Sequence, residues 1–192
     1  MGNCGKIAAS ILNDCDNPLI GGVSDELILI NKEDIIDYEV NVANPQIIEA
    51  INLVTSPATR AYKIEGYKSS VEPQVDLVPN QYRSSWTHQI LFRIFSNTPE
   101  TKEVIEGIKD GTLVAIVKNN NQGVDGNAVY ELFGKGVGLY LKVATSAKND
   151  ADTQGAYILT LATPDNQKEP KVPATIFLTD LATTTALVNA LL

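Results

Sequence analysis

The side chains that could carry out chemistry are few in this 192-residue chain: one histidine, His88, and two cysteines, Cys4 and Cys15. A structural zinc site takes four ligands, usually Cys and His. These three fall one short, and a carboxylate added to them gives no standard spacing. Cys15 lies between Asp14 and Asp16, and anions at that distance disfavour the thiolate that a nucleophile requires. No Ser, Cys or carboxylate motif stands around His88 as a triad would need. His88 instead falls in register with Ile90, Phe92 and Ile94, which reads as a packed or pairing side chain. The cluster Gly134-Lys135-Gly136-Val137-Gly138 has the glycines of a phosphate loop. It lacks the four-residue spacer, the Gly-Lys-Ser/Thr ending and a following helix, so a tight hairpin is expected there. Asp150 and Asp152 share a polar loop without the twelve-position pattern of an EF-hand. The residues therefore point to no catalytic, cofactor-binding or metal site, and to a protein that is not an enzyme.

Charge narrows the function further. The chain carries 23 acids against 15 bases, a formal charge of −8. Nucleic-acid affinity rests on clustered Lys and Arg, so a binding role on DNA or RNA is not expected. The excess is concentrated: residues 1–60 hold nine acids and three bases, Lys6, Lys32 and Arg60. That stretch reads either as a solvated acidic face or as a surface that repels other polyanions. No apolar run approaches the ~20 residues of a membrane span. The short stretch Ile7-Ala8-Ala9-Ser10-Ile11-Leu12 is followed by Asn13-Asp14-Cys15-Asp16 rather than a small-residue cleavage site, so no signal peptide is expected. Lys6 occupies the position where a myristoylation signal has Ser or Thr. Free thiols are then expected at Cys4 and Cys15.

The elements that position these residues are mostly strands. Leu27-Ile28-Leu29-Ile30 and the run 113–117 are continuous apolar segments of buried-strand length. Residues 62–67, 88–95, 128–133, 139–143, 157–163 and 174–178 read as further strands, several with period-two alternation. Segment 44–54 is ambiguous. Asn44-Pro45 could open a helix with Ile47, Ile51 and Val54 on one face, while Ile47, Ile51 and Leu53 also alternate. A helix is expected over 99–110, with Thr98 as cap, Pro99 in the first turn, Val104, Ile105 and Ile108 as its apolar stripe, and Gly111 as a left-handed stop. Thr179 or Asp180 caps a terminal segment that is plausible as a second helix. Seven to nine strands around one internal helix give a mainly β chain. The expected fold is a single antiparallel β-sandwich or barrel with one flanking α-helix.

Segment 68–87 stands apart. It is polar and extended, contains Pro73 and Pro79, and carries Val71, Val75, Leu77, Val78, Tyr82 and Trp86 with no evident partner face. Loops beyond ~12–15 residues are seldom silent connections, and it reads as a long protruding loop or hairpin arm. An exposed arm offers unpaired backbone and apolar side chains for a neighbouring copy to cover. With Tyr67 at its root, these residues are candidates for an oligomer interface. The terminal Leu187, Val188, Leu191 and Leu192 either join that interface or finish the core.

Several short motifs carry a resemblance. They are Cys4…Cys15-Asp16-Asn17-Pro18…Gly21-Gly22, Leu29-Ile30-Asn31-Lys32-Glu33-Asp34-Ile35 and Tyr62-Lys63-Ile64-Glu65-Gly66-Tyr67. Further on come Val129-Tyr130-Glu131-Leu132-Phe133-Gly134 with Gly138-Leu139-Tyr140, then Gly155-Ala156-Tyr157-Ile158-Leu159-Thr160-Leu161, and Glu169-Pro170. Together they resemble virion proteins, specifically tail tube proteins, of bacteriophages of Bacteroidetes-type hosts. The resemblance implies two packed antiparallel sheets with one helix, a strand rather than a helix at 47–53, and hexameric rings whose inner strands close into a barrel. Rings would stack through loops and an extended hairpin, with 68–87 as the arm between subunits. Its implied partners are other copies of itself and other tail proteins, with DNA passing through without specific binding. Its implied place is the virion tail, after synthesis in the host cytoplasm. Neck, terminator and capsid-associated components share this fold and stand as alternatives, as does a β-sandwich ligand-binding module.

Overall fold

The computed structural model describes residues 7, 9–11, 18–55 and 59–192. Cys4 and Cys15, and with them the expectation of free thiols, lie outside the described residues. In chain order the elements are β1 (Val23–Asn31), one 3-10 turn (Lys32–Asp34), β2 (Ile35–Val40), β3 (Ile47–Leu53), β4 (Tyr62–Glu65), β5 (Val71–Val78) and β6 (Ser85–Ile94). There follow α1 (Pro99–Asp110), β7 (Leu113–Asn119), β8 (Tyr130–Phe133), β9 (Tyr140–Thr145), β10 (Tyr157–Ala162), β11 (Ala174–Ile176) and α2 (Leu181–Ala190). Strand accounts for 41% of the described residues and helix for 14%.

The two continuous apolar runs set the architecture. β1 and β7 are neighbours in a seven-stranded sheet of order β2-β3-β11-β8-β7-β1-β4. Side chains alternate across a strand, so Leu27, Leu29, Leu113, Ala115 and Val117 face a four-stranded sheet, β5-β6-β10-β9, and meet Ile90, Phe92, Leu159 and Leu161. Ile28, Ile30, Val114 and Ile116 face the other way, onto Val188 of α2. Every position of these runs is apolar because the large sheet is covered on both faces. The molecule is thus a β-sandwich with a helical third layer, and α1 closes one side through Ile105 and Ile108.

The ambiguous segment resolves as strand. Asn41 Oδ1 accepts from Ala43 N and Asn44 N, and Asn44 Oδ1 accepts from Gln46 N. These local bonds turn the chain before Pro45 and compete with a helix start. β3 then pairs antiparallel with β2 and parallel with β11, the one parallel pairing among the described residues. α1 begins as expected: Thr98 is extended and its Oγ1 accepts from Thr101 N at 3.3 Å. Its end differs from expectation. Gly111 has φ −80° and ψ 151°, so the helix stops by running into extended backbone rather than by a left-handed turn. Asp180 caps α2 through Thr183 N at 2.8 Å.

Two expectations are corrected. Segment 68–87 forms the hairpin of the loop-or-hairpin expectation, but most of it lies in the small sheet rather than protruding as an arm. β5 pairs with β6 over eight positions, from Val71↔Phe92 to Val78↔Ser85, so that only residues 68–70 at the root and the turn 79–84 lie outside the ladder. Pro73 is tolerated within β5 because that strand is an edge. Likewise 134–138 is not a hairpin turn. β8 belongs to the large sheet and β9 to the small one, so the glycine cluster carries the chain from one sheet to the other.

Candidate functional site

The proposed interface residues are distributed unevenly by the fold. Tyr67, Leu77 and Tyr82 are 60%, 54% and 94% exposed. Val78 and Trp86 are half-buried at the outer end of the β5–β6 hairpin. Val71 is 3% and Val188 1% exposed, so neither can meet a neighbour: β5 turns Val71 onto the core between the sheets, and α2 turns Val188 onto the large sheet. Val75 packs against the first core, and Leu187 and Leu191 against the second. Leu187, Leu191 and Leu192 thus pack on the core while staying part-exposed. Tyr67 makes an edge-to-face contact with Phe95 at 6.4 Å between ring centroids. Phe95 is 49% exposed, and nothing in its local sequence distinguishes it from a strand-end core residue.

The small sheet supplies the rest of a candidate surface. Its inner face is core. Its outer face carries Glu72, Leu91, Thr160 and Val143 in one cross-strand row and Gln74, Gln89, Ala162 and Tyr140 in the next. Arg93 on this face is ion-paired with Glu72 at 2.7 Å. Val143 and Tyr140 on the edge strand are 47% and 39% exposed, whereas Thr160 and Ala162 in the middle of the face are buried, at 9% and 1%. No apolar cluster among the described residues covers this face. Each outer strand, β5 and β9, has a strand partner on one side only. Both edges carry devices that restrict pairing. β5 has Pro73 between Glu72 and Gln74, and the β9 ladder shifts register between Thr160 and Leu161, beside Lys142, which is ion-paired with Asp165.

A second cluster lies where the sheets join, and it is built around Glu169. Glu169 is 3% exposed. Its backbone pairs with Trp86 in both directions, at 2.8 and 2.9 Å. Its carboxylate accepts from Gly136 N at 3.0 Å and from Val137 N at 2.7 Å. The glycine cluster therefore does receive an anion on its backbone N–H groups, and the anion is the protein's own. A Cβ at Gly136 would stand 2.6 Å from Glu169 Oε2, so glycine is what lets the carboxylate approach. Lys32 Nζ donates to the carbonyls of Lys135 and Gly136 at 2.9 and 2.8 Å and holds the loop from the other side.

His88 completes this junction. It is 1% exposed. Gly134 N donates to Nδ1 at 3.2 Å, which fixes the proton on Nε2, and Nε2–H donates to the Lys171 carbonyl at 3.0 Å. Its ring meets Phe133 edge-to-face at 5.5 Å. Burial holds the imidazole pKa below its ordinary value, partly opposed by the charge of Glu169. Burial, and then Glu169, push the Tyr38 phenol upward. Its hydroxyl is buried without a hydrogen-bond partner beside a cavity of about 280 Å³ lined by Tyr38, His88, Lys135, Glu169 and Lys171, among others. Burial and the nearby Lys171 lower the Lys135 ammonium. With both ring nitrogens committed to backbone groups, His88 has no free nitrogen to act as a base.

The remaining candidates hold no metal geometry. Asp150 accepts from Asp152 N and Thr153 Oγ1 and so folds its own turn. No group of three or more His, Cys, Asp or Glu among the described residues is placed to hold a metal. No helix among the described residues is long and apolar enough to cross a membrane. A scan of protein-family models, a search of curated proteins and a search of solved structures each found no match to the chain.

Proposed function

We propose that this chain is a structural subunit that assembles with copies of itself into hexameric rings, which stack as the tail tube of a bacteriophage and let DNA pass. The observation that carries this reading is the asymmetry of the small sheet, with one face on the core, an outer face that exposes Tyr140 and Val143 along β9, and two different outer strands. A contact between β5 of one copy and β9 of the next uses two unlike patches. Repeated head to tail, it closes a ring or runs on as a filament. Pro73 and the β9 register shift then select one pairing register rather than leaving either edge free to pair with any strand.

Charge supports passage rather than binding. The chain's net −8 and the neutralised Arg93 on the outer face remove the counterion-release gain that makes DNA adhere. A neck, terminator or capsid-associated subunit would use the same surfaces. The exposed Tyr67–Phe95 pair favours a second reading, a ligand-binding sandwich, in which these rings stack on a partner. Electron microscopy of the purified chain at rising concentration separates the readings. Rings of six that stack into tubes support the first. Separate particles of single-copy size at every concentration overturn it.

A further inference from the structure

We propose that His88 is an acid-released latch: its neutral imidazole ties the 134–138 crossover to segment 169–171, and protonation opens both while leaving the sheets assembled. This does not depend on the tail-tube reading. The geometry is specific. His88 stands on β6 and reaches the two backbone segments that lie just past the end of the β8–β11 ladder at Leu132↔Ala174, through Gly134 N–H and the Lys171 carbonyl. The same two segments are joined by Glu169 on Gly136 N and Val137 N.

An imidazolium cannot accept a hydrogen bond at Nδ1. Protonation would set its new N–H against the Gly134 N–H and place a cation among buried apolar groups, Phe133 included. The groups that face the ring from the elements around it are Glu169 and Lys171 from the segment before β11, Lys135 from the crossover, Tyr38 from β2 and Lys32 after β1. Glu169 favours the charged ring. The hydrogen bond to the Lys171 carbonyl also favours it, and burial outweighs both.

The sign follows from linkage. Burial lowers the folded-state pKa of His88, so the latched form holds fully above the unfolded value of about 6.5 and weakens as pH falls through it. If only the opened form takes the proton, opening rises by up to roughly 30-fold between pH 7.5 and 5.

The test is amide hydrogen exchange on the full chain, corrected for the pH dependence of the intrinsic rate. The expected result is a rise of tens-fold in opening at Gly134, Gly136 and Val137, with little change at Leu159 and Leu161 of β10. His88→Asn, which keeps an acceptor near Nδ1, should flatten the profile. A flat profile in the unaltered protein, or an equally steep one in His88→Asn, overturns the latch. Because the chain has a single histidine, imidazole ¹⁵N shifts give a second reading that needs no variant. They should show the Nε2–H neutral form at pH 7. An imidazolium, or the Nδ1–H form, at that pH overturns the proposal.

Discussion

The two sheets of this sandwich differ in what covers them. The seven-stranded sheet has the small sheet on one face and α2 on the other. The four-stranded sheet has the core on one face and no apolar cluster of the described residues on the other. A sheet buried on both sides is specified by packing alone. A one-sided sheet leaves its outer face and edge strands available, and in this molecule those carry Leu77, Tyr140 and Val143 rather than a continuous coat of charge. On the proposed reading, copies would meet through the small sheet, while the core shared by both sheets carries the stability.

Mutations can break that comparison, and the largest effects belong to the shared core. Phe92 is fully buried between the sheets, and Phe92→Ala should destabilise the fold by about 3–5 kcal/mol, read from chemical denaturation. A loss under 1 kcal/mol would mean that the small sheet is not packed as described. Glu169→Ala strips the acceptor from Gly136 N and Val137 N and should cost roughly 2–4 kcal/mol for the two stranded donors. Glu169→Gln keeps an acceptor and should cost clearly less; equal losses would deny the carboxylate its role on the crossover. Thr98→Ala removes the α1 cap and should cost about 1 kcal/mol. Glu72→Ala, which breaks the partly exposed pair with Arg93, should change stability by less than about 1 kcal/mol. Deleting 69–85, which a free arm would tolerate, would remove β5 with Val71 and should unfold the chain. Shortening only the 79–84 turn should not.

How much of this was legible in the sequence varied with the range of the forces involved. Leu27–Ile30 and the 113–117 run announced strands buried on both faces, because every residue had to be apolar. Thr98-Pro99 announced a helix start, because capping acts within one turn. β2 carries no legible strand signal. Its interior face amounts to Ile35, Tyr38 and Val40, with a register shift between Ile35 and Asp37, and Ile36 is 63% exposed, so no clean period survives. The crossover at 134–138 has the sequence of a hairpin because glycine spacing reports a turn but not which sheet receives the next strand. Glu169 was invisible for the same reason. Its burial comes from a backbone pairing with Trp86 across 83 positions of chain, and a charged residue before a proline carries no sign of that. His88 was legible as a packed residue in register with Ile90 and Phe92, while its two backbone partners were not.

The central proposal is that copies join through the outer side and edge strands of the small sheet. Sedimentation velocity on the full chain and on Val143→Lys and Leu77→Lys, over a hundredfold range of concentration, tests it most directly. Both positions are exposed, so both variants should fold with unchanged denaturation midpoints. The account predicts that the unaltered chain passes from monomer to a ring-sized species as concentration rises, and that Val143→Lys, Leu77→Lys or both remain monomeric over that range. A chain that stays monomeric throughout, or rings that form equally well in both variants, would contradict it.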